Sequence, residues 1–175
     1  MNKAIFLDRD GVLNKTIFRM GKERAPYSLE EFALFDGVED ALTLLKNKGY
    51  LLIVVTNQPD VARGWVEMER VTEVNNKLES LLPLDEIKAC FHTDKDDCSC
   101  RKPRPGMLEE AQKKWMIDFS QSFMIGDNFT DIAAGAAVGC RTVLIGSATN
   151  QGGFPSPHYQ AESLYKWVEN CLMEL

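Results

Sequence analysis

The sequence predicts an α/β fold built on a doubly wound, mostly parallel sheet with helices on both faces. Short apolar runs alternate along the chain with longer stretches of helical periodicity, which is the pattern of βαβ units. The run Leu51–Val55 is continuous and β-branched at its end, as a central parallel strand would be. The 175 residues correspond to a single domain, 1–175, with no room for a large separate cap domain.

Each element follows from its own periodicity. The apolar runs that predict strands are Lys3–Leu7, Leu51–Val55, Ile87–Phe91, Ser122–Ile125 and Thr142–Ile145. The first helix is predicted from residues that share one helical face, which are Val38, Ala41, Leu42 and Leu45. Asp36 is its candidate cap and Gly49 its stop. The later helices are predicted over Glu67–Leu82, from Pro105 to about Trp115, over Asp131–Val138 and over Glu162–Leu172.

Three segments interrupt this alternation. Residues 14–35 form a long insertion after the first strand, and residues 94–104 form a compact polar loop with cysteines. Residues 147–160 are rich in Gly, Ser and Pro and are predicted to be a flexible connection before the terminal helix. Long loops in a compact domain are usually functional. We therefore expect the first two segments to wall a binding site.

Composition and charge exclude several classes of function. The net charge of −6 and the lack of a basic stripe argue against a nucleic-acid partner. The longest apolar run, Tyr50–Val55, is far shorter than the roughly 20 residues of a membrane helix. The first apolar run leads directly into Asp8 and Arg9, which is unlike a secretory signal. We expect a cytoplasmic monomer without membrane or nucleic-acid partners.

Carboxylates follow two of the predicted strands. Asp8 and Asp10 follow the first strand, and Asp127 follows the fourth, with Asp131 one helical turn later. Ligands bind at the carboxyl ends of parallel strands, where these side chains converge. Carboxylates in close proximity repel one another unless a hard cation lies among them, and oxygen ligands of this kind suit Mg²⁺. The sequence therefore predicts a magnesium site at this edge.

The same edge carries the groups that phosphoryl transfer requires. One carboxylate can attack phosphorus to form an aspartyl-phosphate, and a second can protonate the leaving alcohol and later deprotonate water. Thr56 after the second strand and Lys102 in the polar loop can stabilise the transferring phosphoryl group. Taken singly, an Asp-x-Asp-Gly segment is usually a turn and Gly-Asp-Asn is often a helix cap. Their order and their common position at strand ends favour catalysis.

The cysteines of the polar loop predict a structural zinc site in a loop over 90–104. Three sulfurs and one imidazole suit tetrahedral Zn²⁺ and leave no open position for water. The ligands would be Cys90, His92, Cys98 and Cys100. Arg101 and Lys102 follow the last ligand directly, so zinc would orient the lysine. The remaining cysteines, Cys140 and Cys171, have apolar surroundings and are predicted to be core residues.

Four segments resemble the motifs of the haloacid dehalogenase (HAD) superfamily of phosphatases. They are Phe6–Gly11, Thr56–Gln58, Lys102 and Gly126–Asp131. The resemblance implies a HAD-like Rossmannoid fold in which Asp8 is the nucleophile and Asp10 the general acid and base. It also implies that Thr56 and Lys102 steady the phosphoryl group. Mg²⁺ would bind Asp8, the main-chain carbonyl of Asp10, and Asp127, with Asp131 in support.

The segments Thr56–Gly64 and Cys90–Met107 narrow the resemblance to the zinc-containing heptose bisphosphate phosphatases. It implies a phosphorylated sugar as substrate, with hydrolysis at the 7-position, and a role in heptose precursor synthesis. By this resemblance Asn57 and Gln58 would line the site, and Arg101 would contribute to substrate recognition. Arg63, Arg101 and Arg104 could also bind the second phosphate of a bisphosphate, since guanidinium groups bind phosphate in bidentate geometry.

The chain departs from that family in three places, and three other functions stay open. Pro59-Asp60 replaces Ser-Gly, Asn128 replaces a basic residue, and the insertion 20–27 is longer and more basic. Each departure could change the sugar, its anomer or the phosphate removed. Histidinol-phosphate phosphatases share the zinc signature. A phospho-receiver module and a zinc-stabilised binding protein without activity are the alternatives from other classes.

Overall fold

A computed structural model describes residues 1–150 and 153–171. Its main sheet has six strands, all parallel, in the order β5-β4-β1-β6-β7-β8. The strands are β1 (Lys3–Leu7), β2 (Ile17–Arg19), β3 (Lys22–Arg24), β4 (Tyr50–Asn57), β5 (Glu86–Cys90), β6 (Phe123–Gly126), β7 (Arg141–Ile145) and β8 (Tyr159–Ala161). The helices are α1 (Val38–Asn47), α2 (Met68–Leu81), α3 (Gly106–Trp115), α4 (Phe129–Ala137) and α5 (Leu164–Cys171). The predicted α/β fold with a parallel sheet is confirmed.

The sheet separates two hydrophobic cores, as a doubly wound fold requires. Successive side chains of a strand point to opposite faces. In β1, Ile5 and Leu7 pack with residues of α1, α2 and α5, whereas Ala4 and Phe6 pack with residues of α3 and α4. All four side chains are fully buried. Because both faces are covered, β1 and β4 contain the continuous apolar runs Ala4–Leu7 and Leu51–Val55, which made these strands recognisable in the sequence.

The start of the first helix differs from the prediction. Asp36 does not cap α1, because the N-cap residue is Gly37, which makes no side-chain capping bond. Gly37 has a φ of 77°, and a Cβ atom there would lie 2.8 Å from the ring of Tyr165 on α5. The close packing of α5 against this turn therefore requires a residue without a Cβ atom at the N-cap position. Gly49 follows the end of α1 as predicted, and its N–H donates to the carbonyl of Lys46.

Three short strands were missed in the segments predicted to be loops. Strands β2 and β3 form an antiparallel hairpin within the insertion 14–35. Strand β8 begins at the end of the predicted connection 147–160, runs to Ala161 and pairs with β7. Three-residue strands are too short to show a periodicity. Residues 151–152 of that connection, and Leu172 at the predicted end of the last helix, lie outside the described residues.

The remaining cysteines and the helices agree with the sequence analysis. Cys140 is buried, and Cys171 packs against the core formed by α1 and α5. Of the helices in the described residues, none combines the length and the apolar character that crossing a membrane requires.

Candidate active site

A cavity of about 450 Å³ lies at the carboxyl ends of β1, β4 and β6. Its volume is that of an ordinary small-molecule site. The four predicted carboxylates and the predicted lysine line it together, namely Asp8, Asp10, Asp127, Asp131 and Lys102. The structure thus brings to one place groups that are spread over more than half of the chain.

Asp8 lies at the floor of the cavity beside Lys102. The backbone N–H of Asp8 donates to the carbonyl of Ile125, so pairing with β6 extends to the first residue beyond β1. Asp8 Oδ1 accepts a hydrogen bond from the backbone N–H of Arg9 at 2.7 Å and lies 3.1 Å from Lys102 Nζ. Burial raises the pKa of Asp8 to about 7, against the lowering effect of Lys102. A divalent cation bound beside Asp8 would lower this pKa and favour the ionised, nucleophilic form.

Lys102 is held between two carboxylates. Its Nζ lies 2.6 Å from Asp131 Oδ1 as well as 3.1 Å from Asp8 Oδ1, and its side chain is 1% exposed. Burial opposes the charge on this amine, but the carboxylates of Asp131 and Asp8 outweigh burial and raise its pKa. Lys102 is therefore a fixed positive charge at the reaction centre, where it can stabilise a phosphoryl group.

Asp10 is oriented by four hydrogen bonds. Its Oδ1 accepts from Arg9 Nε at 3.2 Å and from Asn14 Nδ2 at 2.9 Å. Its Oδ2 accepts from Arg9 Nη2 at 3.0 Å and from Gln58 Nε2 at 2.6 Å. Arg9 is fully buried, and its Nη1 donates to Asn75 on α2 at 2.7 Å. This arrangement gives the Asp10 carboxylate one orientation, as a general acid requires.

Asp8, Asp127 and Asp131 offer carboxylate oxygens that all lie within 4.8 Å of one another. Two glycines permit this approach. A Cβ atom on Gly11 would lie 2.0 Å from Asp127 Oδ2, and one on Gly126 would lie 2.2 Å from Asp131 Oδ2. Burial and the neighbouring carboxylates of Asp8 and Asp131 raise the pKa of Asp127 to about 8. Hard oxygen donors crowded in this way fit a divalent cation such as Mg²⁺.

Asp131 supports this cluster rather than facing the cavity freely. One of its carboxylate oxygens contacts Lys102, and the other accepts from the backbone N–H of Asn128 at 3.1 Å. Asn128 in turn accepts from the N–H of Thr130, which completes a capping box at the start of α4. Asn128, which stands where the family pattern has a basic residue, therefore has a structural role, because it caps the helix that carries Asp131.

The residues at the end of β4 are engaged with their neighbours. Thr56 is 1% exposed and is not among the residues that line the cavity. Its Oγ1 accepts a hydrogen bond from Gln58 Nε2 at 3.0 Å. Asn57 donates to the carbonyl of Lys102 at 3.0 Å and accepts from the N–H of Lys102 at 3.1 Å. Both Asn57 and Gln58 line the cavity, as predicted. In this structure, however, they orient Lys102 and Asp10.

The predicted zinc ligands lie together at the end of β5. All four ligand atoms lie within 4.8 Å of one another. Cys90 Sγ is 3.8 Å from Cys98 Sγ and 3.5 Å from His92 Nδ1, and His92 Nδ1 is 3.3 Å from Cys100 Sγ. Tetrahedral bonds of about 2.3 Å to sulfur give ligand separations of about 3.8 Å. The donor set fits Zn²⁺, and so does the separation of Cys90 from Cys98, whereas Cys100 Sγ lies closer to Cys90 Sγ, at 2.9 Å.

The zinc wall, defined as residues 90–104, forms one side of the cavity. Arg101 pairs with Asp94 at 2.6 Å and donates to the carbonyl of His92 at 3.3 Å. Arg104 donates to the carbonyl of Cys98. Arg101 lines the cavity, as predicted for a substrate contact, whereas Arg104 does not.

The hairpin wall, defined as residues 14–35 with the loop 58–65, forms the facing side. Arg63 lines the cavity, as predicted, and pairs with Asp60 at 2.8 Å. Arg24 of β3 also lines the cavity and contacts the same carboxylate at 3.3 Å. Tyr27 donates its hydroxyl hydrogen to Asp60 at 2.6 Å. Burial and the Asp60 carboxylate raise the pKa of Tyr27.

Comparison with known proteins identifies the family. A HAD-hydrolase-like family model matches residues 99–166. A D-glycero-β-D-manno-heptose-1,7-bisphosphate 7-phosphatase of Haemophilus influenzae is 41% identical over 77% of this chain and 76% of its own length. Another from Pasteurella multocida is 37% identical over 94% of each chain. The chain belongs to this family of HAD phosphatases. It is thus a phosphoric monoester hydrolase, which excludes the receiver and non-catalytic alternatives.

A solved structure agrees with this family. The D,D-heptose 1,7-bisphosphate phosphatase of B. bronchiseptica, complexed with magnesium and phosphate, superposes with a TM-score of 0.86. It is 29% identical, and the match covers 99% of each chain. The HAD-like fold expected from the sequence is therefore confirmed.

Sequence reasoning missed several residues that shape this phosphatase site. Arg9 and Asn14 orient Asp10, and Arg24 and Asp60 form much of the hairpin wall. The sequence did contain a signal for Arg9. This residue stands between Asp8 and Asp10 at the end of a strand, where successive side chains point to opposite sides, so its side chain is directed away from the cavity and into the fold. The insertion was noted as basic, but nothing in its sequence identified Asp60 as the partner of Arg24.

Proposed function

We propose that this protein hydrolyses the 7-phosphate of D-glycero-β-D-manno-heptose 1,7-bisphosphate. The observation that carries the chemistry is the contact between Asp8 and Lys102 in a cavity that also holds the oriented carboxyl of Asp10. The names of the relatives support the substrate and its β anomer. They also favour this substrate over histidinol phosphate.

In the first half of the proposed reaction, a carboxylate oxygen of Asp8 attacks phosphorus. The bond between phosphorus and the sugar oxygen breaks, and the carboxyl group of Asp10 gives its proton to that oxygen. The products are the free 7-hydroxyl of the sugar and an aspartyl-phosphate on Asp8. Lys102 lies close enough to Asp8 to stabilise the charge of the phosphoryl group as it transfers.

In the second half, the same carboxylates return the site to its starting state. The Asp10 carboxylate takes a proton from water, and the resulting hydroxide attacks the phosphorus of the aspartyl-phosphate. Inorganic phosphate leaves, and Asp8 becomes a free carboxylate again. The four hydrogen bonds to Asp10 suit both steps, because they fix the direction in which the proton moves.

Two metals complete the proposed site. Mg²⁺ would be held by Asp8, the carbonyl of Asp10, and Asp127, with Asp131 in support, and when bound it neutralises negative charge on the phosphoryl oxygens. Zn²⁺ would be held by Cys90, His92, Cys98 and Cys100 and would have a structural role only. Arg63 and Arg101 would contact the substrate from the two walls of the cavity.

The test is phosphate release with Mg²⁺ from both anomers of heptose 1,7-bisphosphate and from histidinol phosphate, assayed side by side. Asp8→Asn provides the blank, since it keeps the shape of the side chain and removes the nucleophile. We expect the β bisphosphate to have the highest kcat/KM. Preference for histidinol phosphate would reject the proposed substrate, and full activity of Asp8→Asn would reject the proposed nucleophile.

A further inference from the structure

Asp60 joins two segments of the hairpin wall through three donors. Its carboxylate accepts from Arg63 Nη1 at 2.8 Å, from Tyr27 Oη at 2.6 Å, and from Arg24 Nη1 at 3.3 Å to each oxygen. Asp60 is 6% exposed, so these contacts replace its hydration. Arg24 and Tyr27 belong to the insertion 14–35, and Arg63 belongs to the loop after β4. Asp60 therefore connects two segments that are far apart in the sequence.

Trp65 restrains the same two arginines from another side. The guanidinium carbon of Arg24 lies 4.4 Å from the centre of the indole ring, and that of Arg63 lies 5.2 Å from it. Cation–π contacts at these distances favour a fixed position of the guanidinium group. Arg24 is further held by a bond from its Nε to the carbonyl of Arg19. Two arginines are thus fixed at one wall of the cavity.

These arginines have more donors than Asp60 uses. Each guanidinium group carries five N–H hydrogens. Among the hydrogen bonds of residues 1–150 and 153–171, Arg63 donates through Nη1 only, and Arg24 donates through Nη1 and Nε. Both side chains line the cavity. Glu23, which also lines it, accepts a hydrogen bond from the hydroxyl of Thr16. The unused N–H groups of two guanidiniums suit an oxyanion.

We propose that Arg24 and Arg63 form a subsite for the phosphate that is not hydrolysed, and that Asp60 positions them. The inference rests on the proposed function, because it assumes a substrate with two phosphates. Arg24 thereby becomes a specificity-determining residue on the insertion, and Asp60, which replaces a glycine of the family pattern, becomes a positioning residue. The reacting phosphate binds at Asp8, while the other phosphate binds at the hairpin wall.

A pair of substrates tests the role of Arg24. Heptose 7-phosphate carries the reacting phosphate but not the anomeric one, so only the 1,7-bisphosphate can use the subsite. We expect Arg24→Met to lower kcat/KM for the bisphosphate by roughly ten- to hundred-fold, because KM rises. The kcat/KM for the monophosphate should stay nearly unchanged. Lys22→Met, an exposed cation on the same strand, is the matched control. An equal loss on both substrates, or no loss on either, would overturn the subsite.

A double mutant tests the role of Asp60. We expect Asp60→Ala to lose the preference for the bisphosphate. The double variant Asp60→Ala/Arg24→Met should be no worse than Asp60→Ala alone, because loss of Asp60 already releases Arg24 together with Arg63. Independent, additive losses would assign Asp60 a purely structural role. Tighter binding of the bisphosphate by Asp60→Ala would also reject positioning, since it would mean that Asp60 only weakens the positive charge of the wall.

The same assay separates failure of the subsite from failure of the proposed function. If the wild type hydrolyses the bisphosphate and the 7-phosphate equally well, the subsite is wrong and the phosphatase assignment stands. If it hydrolyses neither, the proposed substrate is wrong, and fructose 1,6-bisphosphate and fructose 6-phosphate are the next pair. If the protein prefers fructose 1,6-bisphosphate and Arg24→Met removes the preference, the subsite is retained. If there is no such preference, the subsite is rejected.

Discussion

The two walls of the cavity are held in place by different means. In the zinc wall, the ligand atoms of four residues converge within 4.8 Å, and a metal would fix the loop in one conformation. In the hairpin wall, one buried carboxylate holds two arginines and a tyrosine, and an indole ring packs beside the guanidiniums. The zinc wall carries Lys102 to the reaction centre. In the hairpin wall, Asn14 and Gln58 donate to Asp10, while the cluster of Arg24, Asp60 and Arg63 lines the cavity.

This difference indicates a division of labour. A metal cluster fixes a loop rigidly, which suits the placement of a catalytic charge. A cluster of side-chain contacts can be altered one residue at a time, which suits the discrimination of substrates. We therefore expect loss of the zinc ligands to reduce kcat for every phosphate ester, and changes to Arg24, Asp60 or Tyr27 in the hairpin wall to affect the bisphosphate selectively.

Loss of a zinc ligand is expected to have the largest effect. Cys98→Ser should lower kcat for both heptose phosphates by roughly a hundred-fold or more, because Lys102 loses its fixed position. Elemental analysis of the wild type should show about one zinc per chain. Cys140→Ala, a buried cysteine outside the cluster, is the control and should keep both zinc and activity. A metal-free wild type with full activity would contradict this role of zinc.

Asn57 connects the zinc wall to the sheet and should have the next largest effect. Asn57→Ala removes the two hydrogen bonds that hold the backbone of Lys102. A misplacement of about 1 Å at a reaction centre can reduce the rate by up to about a hundred-fold, so we expect kcat to fall by roughly ten- to hundred-fold. Asn2→Ala, which removes a single bond to Trp115 away from the cavity, is the comparison. If kcat were unchanged, Lys102 would not depend on Asn57.

Tyr27→Phe should have a smaller effect that is confined to the hairpin wall. It removes one hydrogen bond to the buried Asp60 carboxylate, which we expect to lower the free energy of unfolding by about 1–3 kcal/mol. The bisphosphate preference should fall with it, while kcat for the 7-phosphate stays unchanged. Tyr165→Phe on α5 is the control. A drop in kcat for both substrates would contradict the division between the walls.

The surface ion pair of the zinc wall should contribute least. Asp97 is 92% exposed and pairs with the exposed Arg104 at 2.7 Å. Exposed pairs contribute about 0–1 kcal/mol, so Asp97→Ala should leave thermal stability and both activities close to those of the wild type. A large loss of activity would mean that surface charge, rather than the metal cluster, holds this wall.

The zinc wall and the catalytic floor were predictable from the sequence for a physical reason. Strands buried on both faces are continuous apolar runs, so Asp8, Thr56 and Asp127 could be assigned to strand ends. The predicted zinc ligands are close in sequence and chemically distinctive. Both features are local, and local features can be recognised in a single sequence.

The insertion 14–35 was predicted to wall the site, but the contacts within the hairpin wall were not predictable because they join residues that are distant in sequence. Asp60 is 36 positions from Arg24 and 33 from Tyr27, and no local pattern pairs a carboxylate with donors so far away. Strands β2, β3 and β8 have three residues each, too few to show alternation. Asp36 was misjudged as a cap for a similar reason, since the packing of Tyr165 on Gly37 is a tertiary contact.

The measurement that tests the covalent mechanism most directly uses Asp10→Asn and p-nitrophenyl phosphate with Mg²⁺. Nitrophenolate leaves without a proton, so phosphoryl transfer to Asp8 needs no acid, whereas hydrolysis of the aspartyl-phosphate still needs Asp10 as base. We expect a burst of one nitrophenolate per chain and, after acid quenching, a phosphoryl group on the peptide that contains Asp8. Linear release without a burst, and without a phosphorylated peptide, would contradict Asp8 as the nucleophile.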